Sequence, residues 1–133
     1  MPGKIRSMTF LLIATSTGMS LWFMVAAVLP DMAAEAGVPE TALALLSSAV
    51  QAGFVIGALF IAISGIADRL DPRHLLAFCA VSTSLATLAL LLVEIGGTTA
   101  VALRFLTGAL MAGVYPVGMK LAVGWGTRDR GFL

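Results

Sequence analysis

Arg104 interrupts an apolar run from Ala100 to Val123, and Gln51 interrupts another from Leu45 to Ala67. A charge or an amide in such a run needs a partner or a water-filled cavity, because burying either without one costs several kcal/mol. A guanidinium in that setting can hold an anionic solute or take part in proton coupling. Arg104, Gly108, Met111 and Tyr115 follow the i, i+4, i+7, i+11 spacing that stacks on one helical face, so that face is the expected cavity side. The competing account of Arg104 is a snorkelling anchor. It lies about 6 Å inside the run at ~1.5 Å per residue, and its long stem could reach outward from there. Trp22 and the hydroxyl cluster at 15–20 are softer candidates for a solute path, against a plain apolar anchor and hydroxyls bonded to their own helix.

The second charged group is the stretch Ser64-Gly65-Ile66-Ala67-Asp68-Arg69-Leu70-Asp71-Pro72-Arg73-His74. Asp68 falls at a helix C-terminal end, where the helix dipole disfavours a carboxylate and a neighbouring cation or another helix's N-terminus would compensate. Asp71-Pro72 is turn-forming chemistry. The bland account is a solvated turn whose charges only fix topology. Elsewhere chemistry is scarce. One histidine, His74, and one cysteine, Cys79, supply neither a metal cluster nor a nucleophile with its base, so no enzyme activity, metal or cofactor is expected. A net charge of +1 argues against nucleic acid as a partner.

The elements that must position these residues are set by composition. Of 133 residues, 59% are hydrophobic and 11% charged, and the mean hydropathy is +1.03. A soluble domain of this kind would expose far more contiguous apolar surface than water tolerates, so lipid must be part of the solvent. A hydrocarbon core of about 30 Å needs roughly 20 apolar residues in a helix, and such runs occur four times: Met8 to Leu29, Leu45 to Ala67, Leu75 to Val93 and Ala100 to Val123. The expectation is an all-α membrane protein, residues 1–133 forming a single transmembrane domain of four helices with no soluble domain. The first run is about twice the roughly 7–15 residues of a signal-peptide core, which argues against a cleaved leader despite Ala34-Glu35-Ala36.

Apart from Arg104, every Lys and Arg lies near the N-terminus (Lys4, Arg6), between spans two and three (Arg69, Arg73) or near the C-terminus (Lys120, Arg128, Arg130). The positive-inside rule then places both termini in the cytoplasm, with Asp31, Glu35, Glu40 and Glu94 outside. The chain is expected to be a multi-pass protein of a cell membrane, the bacterial inner membrane by preference. Within the spans, Gly53 and Gly57 form a small-xxx-small pair for close helix packing, and Pro116, between Gly113 and Gly118, should bend span four.

The loop after span two resembles the signature loop of the major facilitator superfamily, with Asp68, Arg69 and Arg73 as its charged core. The chain departs from the pattern by carrying Ser64 with Gly65 next to it, and Asp71 where a second glycine is expected. Arg104-Phe105-Leu106-Thr107-Gly108, with Gly113 beyond, is similar to the family's motif in the fourth helix. The resemblance implies a twelve-helix fold in two halves built from inverted three-helix repeats. Of that fold this chain would hold the first repeat and one further helix, with 125–133 leading towards a fifth span. It also implies a conformational latch at Asp68, Arg69 and Arg73, and a substrate or proton pathway to which Arg104, Gln51, Tyr115 and Trp22 are assigned. Gly108, Gly113, Pro116, Gly53 and Gly57 serve as helix break and packing. The implied function is secondary-active transport of a small solute, with charge favouring an anion or proton coupling. The chain would act in a homo-oligomer or as a fragment, and the alternative is a non-transporting subunit packed against a full-length carrier.

Overall fold

The computed structural model describes residues 2–125. The expected linker after Trp125, with Arg128 and Arg130, lies outside the described residues, as does the Lys4 side chain. The described residues form helices α1 (Pro2–Ala36), α2 (Glu40–Ser64), α3 (Ile66–Arg69), α4 (Pro72–Ala89), α5 (Thr98–Met111) and α6 (Tyr115–Trp125). A short 3-10 turn, Leu90–Leu92, extends α4. Four stretches are long and apolar enough to cross a membrane: Arg6–Asp31, Glu40–Ser64, Pro72–Leu92 and Thr98–Leu121. All-α architecture with four candidate spans is therefore the observed fold.

The helix ends follow local chemistry. α1 runs beyond the expected Met8–Leu29, continuing through Pro30 and ending at Gly37. That glycine takes φ +65°, and the Val38 amide donates to the Ala33 carbonyl at 2.9 Å, closing a Schellman-type end. α2 stops at Gly65, φ +63°, whose amide donates to Ile61 O. α4 starts earlier than expected, at Pro72. Asp71 caps it by accepting the Arg73 amide at 2.9 Å, and Pro72 fills a first-turn position that needs no amide hydrogen. Asp71, one of the departures from the loop pattern the chain resembles, thus builds the start of the third span.

α5 is the centre of the molecule. It lies along α2 through the most extensive contact in the fold and also packs against α4, while α6 touches α1 and α4. Glycines make the α2–α5 approach possible. A Cβ on Gly53 would fall 1.9 Å from Phe105 O, one on Gly57 2.4 Å from Ala109 O, and one on Gly108 1.9 Å from Val50 O. Gly113 is pressed against the Cys79 side chain in the same way. Gly53, Gly57, Gly108 and Gly113 are all used inside one chain, so they supply no argument for self-association.

The fourth span is broken, as expected, but one turn before Pro116. Ala112 to Val114 separate α5 from α6, with tighter bonds from Gly113 N to Leu110 O (2.9 Å) and Val114 N to Met111 O (3.0 Å). Proline at position i clashes with the carbonyl of i−4, here Ala112, so the distortion appears upstream of the residue that causes it.

Candidate functional site

Arg104 is 1% exposed, the largest fully buried side chain among the described residues. It is buried among the other helices, not exposed at the surface. Thr83, Thr87 and Thr107 are the other buried polar side chains among the described residues. Two of them are spoken for: Thr87 Oγ1 donates to Thr83 O at 2.9 Å and Thr107 Oγ1 to Leu103 O at 2.8 Å. Arg104 Nε and Nη1, with Thr83 Oγ1, have no hydrogen-bond partner among the described residues. Two unpaired guanidinium nitrogens buried this deeply are costly in a membrane interior.

Beside Arg104 lies a cavity of about 180 Å³, walled by Val25 and Leu29 of α1, Leu46 of α2, Thr87 and Leu88 of α4 and Ala100 of α5. Leu29, Leu46 and Ala100 also form the apolar cluster at this end of the bundle. The opposite end holds the other cluster, Leu75, Cys79, Val114 and Val117, and the Asp68 loop. Arg6, Arg73 and Leu121 border one groove there, so the start of α1, the loop and the end of the fourth span share one end of the bundle.

The remaining residues assigned to a pathway do not gather around Arg104. Gln51 is exposed, turned off the α2 face formed by Leu46, Val50, Gly53 and Gly57. Among the described residues this amide meets no other helix and faces outward from the bundle. Tyr115 is 45% exposed and borders a separate space of about 100 Å³ with Thr15 and Gly118. The stripe read from Arg104 to Tyr115 fails at its last member, because the tight turn at 112–114 shifts the helical phase. Its first three members are buried, and Gly108 is packed on backbone instead of lining open space. Trp22 meets Phe54 edge-on, ring centroids 5.3 Å apart, and joins α1 to α2. Thr15 and Ser20 donate to Leu11 O and Thr17 O of their own helix.

At the loop, Asp68 pairs with Lys120 of α6 and with neither arginine. Lys120 Nζ also donates to the Ala67 carbonyl at 3.1 Å. This is the compensating cation that a carboxylate at a helix end requires. The hydrogen bond from Lys120, and then its charge, hold the Asp68 carboxyl below the usual aspartate range. Arg69 and Arg73 are exposed, and the Arg73 side chain enters no ion pair among the described residues. By charge distribution alone Lys120 marks only topology. A lysine in the last turns of an apolar run, on the same side as a lone helix-end aspartate, was the signal for the pair. Next to it a groove of about 430 Å³ is lined by the small residues Ala58, Ala62 and Ala67 with Pro116.

Comparison with curated proteins and with solved structures gave no match. The family model described as Major Facilitator Superfamily matches residues 10–133, a stretch that contains both the Asp68 loop and the Arg104 helix. With four apolar spans, a buried arginine in the fourth and the charged loop after the second, the chain belongs to the major facilitator superfamily.

Proposed function

We propose that these four helices form one wall of a secondary-active solute pathway, with Arg104 as its working charge and the Asp68 loop as its latch. Transporter-type function in general follows from the family. The observation that carries the rest is Arg104, buried to 1% and lacking acceptors at Nε and Nη1. Exchanging a buried charge for an apolar side chain is often neutral or stabilising, so folding alone gives no reason for an arginine here. An anionic solute, or a carboxylate that gains and loses a proton, would supply what the guanidinium lacks. At the other end, the Asp68–Lys120 pair beside a groove of small residues supports a latch: a helix end entering the groove would compete for Asp68.

The reading includes further protein, a second copy or a larger carrier, around the four helices. Among the described side chains of α1 only Gly18, Leu29 and Ala33 are buried, while Phe10, Leu12, Ile13 and Phe23 are more than half exposed. The same exposed face also favours the second reading, a non-transporting subunit that docks on a carrier. Proteoliposomes under an imposed pH gradient separate the two. Accumulation of at least one of a labelled organic anion, sugar or amino acid, abolished in Arg104→Ala, is the expected result. Correctly inserted chain that moves none of them, and co-purifies with a larger carrier, would favour the subunit.

A further inference from the structure

We propose that the groove between α1, α4 and the end of α6 binds the phosphodiester headgroup of an anionic phospholipid, with Arg6 and Arg73 on the phosphate and the acyl chains along the helices. This site is separate from the pathway charge at Arg104 and stands whether or not the chain moves a solute. Arg6, Ser7 and Phe10 of α1, Arg73 and Leu76 of α4 and Leu121 of α6 line the groove, and no acidic side chain does. Both arginines are exposed, and neither side chain has an ion-pair partner among the described residues. Arg6 rests against the Phe10 ring, its guanidinium carbon 6.0 Å from the ring centroid, which holds its charge beside the groove. The nearby acids are engaged elsewhere. Asp68 pairs with Lys120 beside a different groove, while Asp71 accepts the Arg73 amide at 2.9 Å and lies 3.9 Å from His74. The two guanidinium groups therefore share a concave surface that offers them no counter-charge.

Depth decides the rest of the ligand. The first and third candidate spans begin at Arg6 and Pro72, and the fourth ends at Leu121, so the groove sits where three spans pass between hydrocarbon and polar surface. By the positive-inside rule this is the end expected at the cytoplasmic surface, where basic pockets between transmembrane helices hold anionic headgroups. At about 350 Å³ the groove equals on the order of a dozen water volumes of ~30 Å³ each, room for a headgroup and the first carbons of its chains. Phe10, Leu76 and Leu121 give it an apolar floor, and Phe10 is 63% exposed beside it. A dissolved phosphate would satisfy the arginines and leave that floor unused, whereas a phospholipid uses both. The phosphodiester brings free anionic oxygens and stays charged, which suits guanidinium donors. A zwitterionic lipid brings its own cation as well, and gains less from two arginines.

The test is native mass spectrometry of the full chain, delipidated in mild detergent and titrated with phosphatidylglycerol or phosphatidylcholine of matched acyl chains. Phosphatidylglycerol should be retained at a concentration lower by about tenfold or more. Arg6→Gln and Arg73→Gln should each reduce that preference and together abolish it. Arg69→Gln, which removes one exposed charge from the same loop but not from the groove, should keep it. Glycerol phosphate should fail to displace the bound lipid at concentrations where unlabelled phosphatidylglycerol does so. Equal retention of the two lipids overturns the proposal. So does a preference lost as fully in Arg69→Gln as in Arg73→Gln, because general surface charge would then account for it. Displacement by glycerol phosphate as readily as by phosphatidylglycerol would also overturn it, leaving a site for dissolved phosphates in place of a lipid.

Discussion

Gly108→Ala puts the α2–α5 interface under the sharpest strain that a single methyl can impose. The new Cβ would lie 1.9 Å from Val50 O, 2.8 Å from Val50 C and 2.9 Å from Phe54 N, all backbone atoms that no rotamer change can move. Ordinary contact begins at 3.4 Å, so the helices must part by about 1.5 Å at this point or bend around it. A gap of ~0.5–1 Å already forfeits a quarter to a half of each pairwise attraction, and this interface is the most extensive in the fold. Overpacking costs roughly 1–3 kcal/mol where side chains can adapt, so ~3 kcal/mol or more is expected here. Gly65→Ala is the control, since φ is +63° but nothing lies within 4 Å of its Cβ, and backbone strain alone costs about 1 kcal/mol. Gly53→Ala strains the same interface from the other helix, so the double variant should lose clearly less than the sum. Reversible unfolding in mixed micelles by titrated denaturing detergent measures all four. A Gly108→Ala protein as stable as Gly65→Ala would refute the reasoning about how α2 and α5 meet.

Replacing Lys120 with alanine should release the Asp68 carboxyl, raising its titration midpoint towards that of an ordinary aspartate. A carboxyl whose folded value is depressed contributes pairing that is present above its unfolded value and lost as pH falls through the folded one. The wild-type pair should therefore persist to pH below the usual aspartate range, as followed by the Asp68 carboxyl carbon shift; identical titration in Lys120→Ala would remove the pair. Asp68→Asn should change transport or assembly while membrane insertion stays normal, and unchanged uptake with an unchanged oligomer distribution would leave only a topological turn. Glu35→Cys in a Cys79→Ala background should react with an impermeant reagent from outside the cell, whereas labelling only from the cytoplasmic face would invert the orientation read from the positive charges.

Much of the fold was legible because membrane helices obey few rules. Length and hydropathy delimit the spans, and Gly37, Gly65 and Asp71-Pro72 end and begin helices through local backbone chemistry alone. Gly53 and Gly57 announce close packing, but their spacing cannot say whether the partner is α5 or another copy. The site was harder. Arg104 is conspicuous as a charge in an apolar run, yet whether it points inward depends on where α2 and α4 stand. Gln51 looks equally conspicuous and is turned outward, because one residue's offset from Val50 rotates a side chain by about 100° around the helix. Tyr115 was lost from the stripe because the break at 112–114 changes the residues per turn, which a fixed periodicity does not carry. The cavity wall from α1 has no sequence signal at all, since Val25 and Leu29 read as any apolar helix residues.

That Arg104 is kept for function and not for folding is tested most directly by solute accumulation in proteoliposomes of Arg104→Leu at matched insertion. Leucine removes a buried guanidinium that has no acceptors at Nε and Nη1 and leaves an apolar side chain among apolar walls, so the bundle should be at least as stable as the wild type. The account predicts accumulation reduced by at least a hundredfold in a protein that unfolds no more easily than the parent. Full accumulation by the stable leucine variant would contradict it.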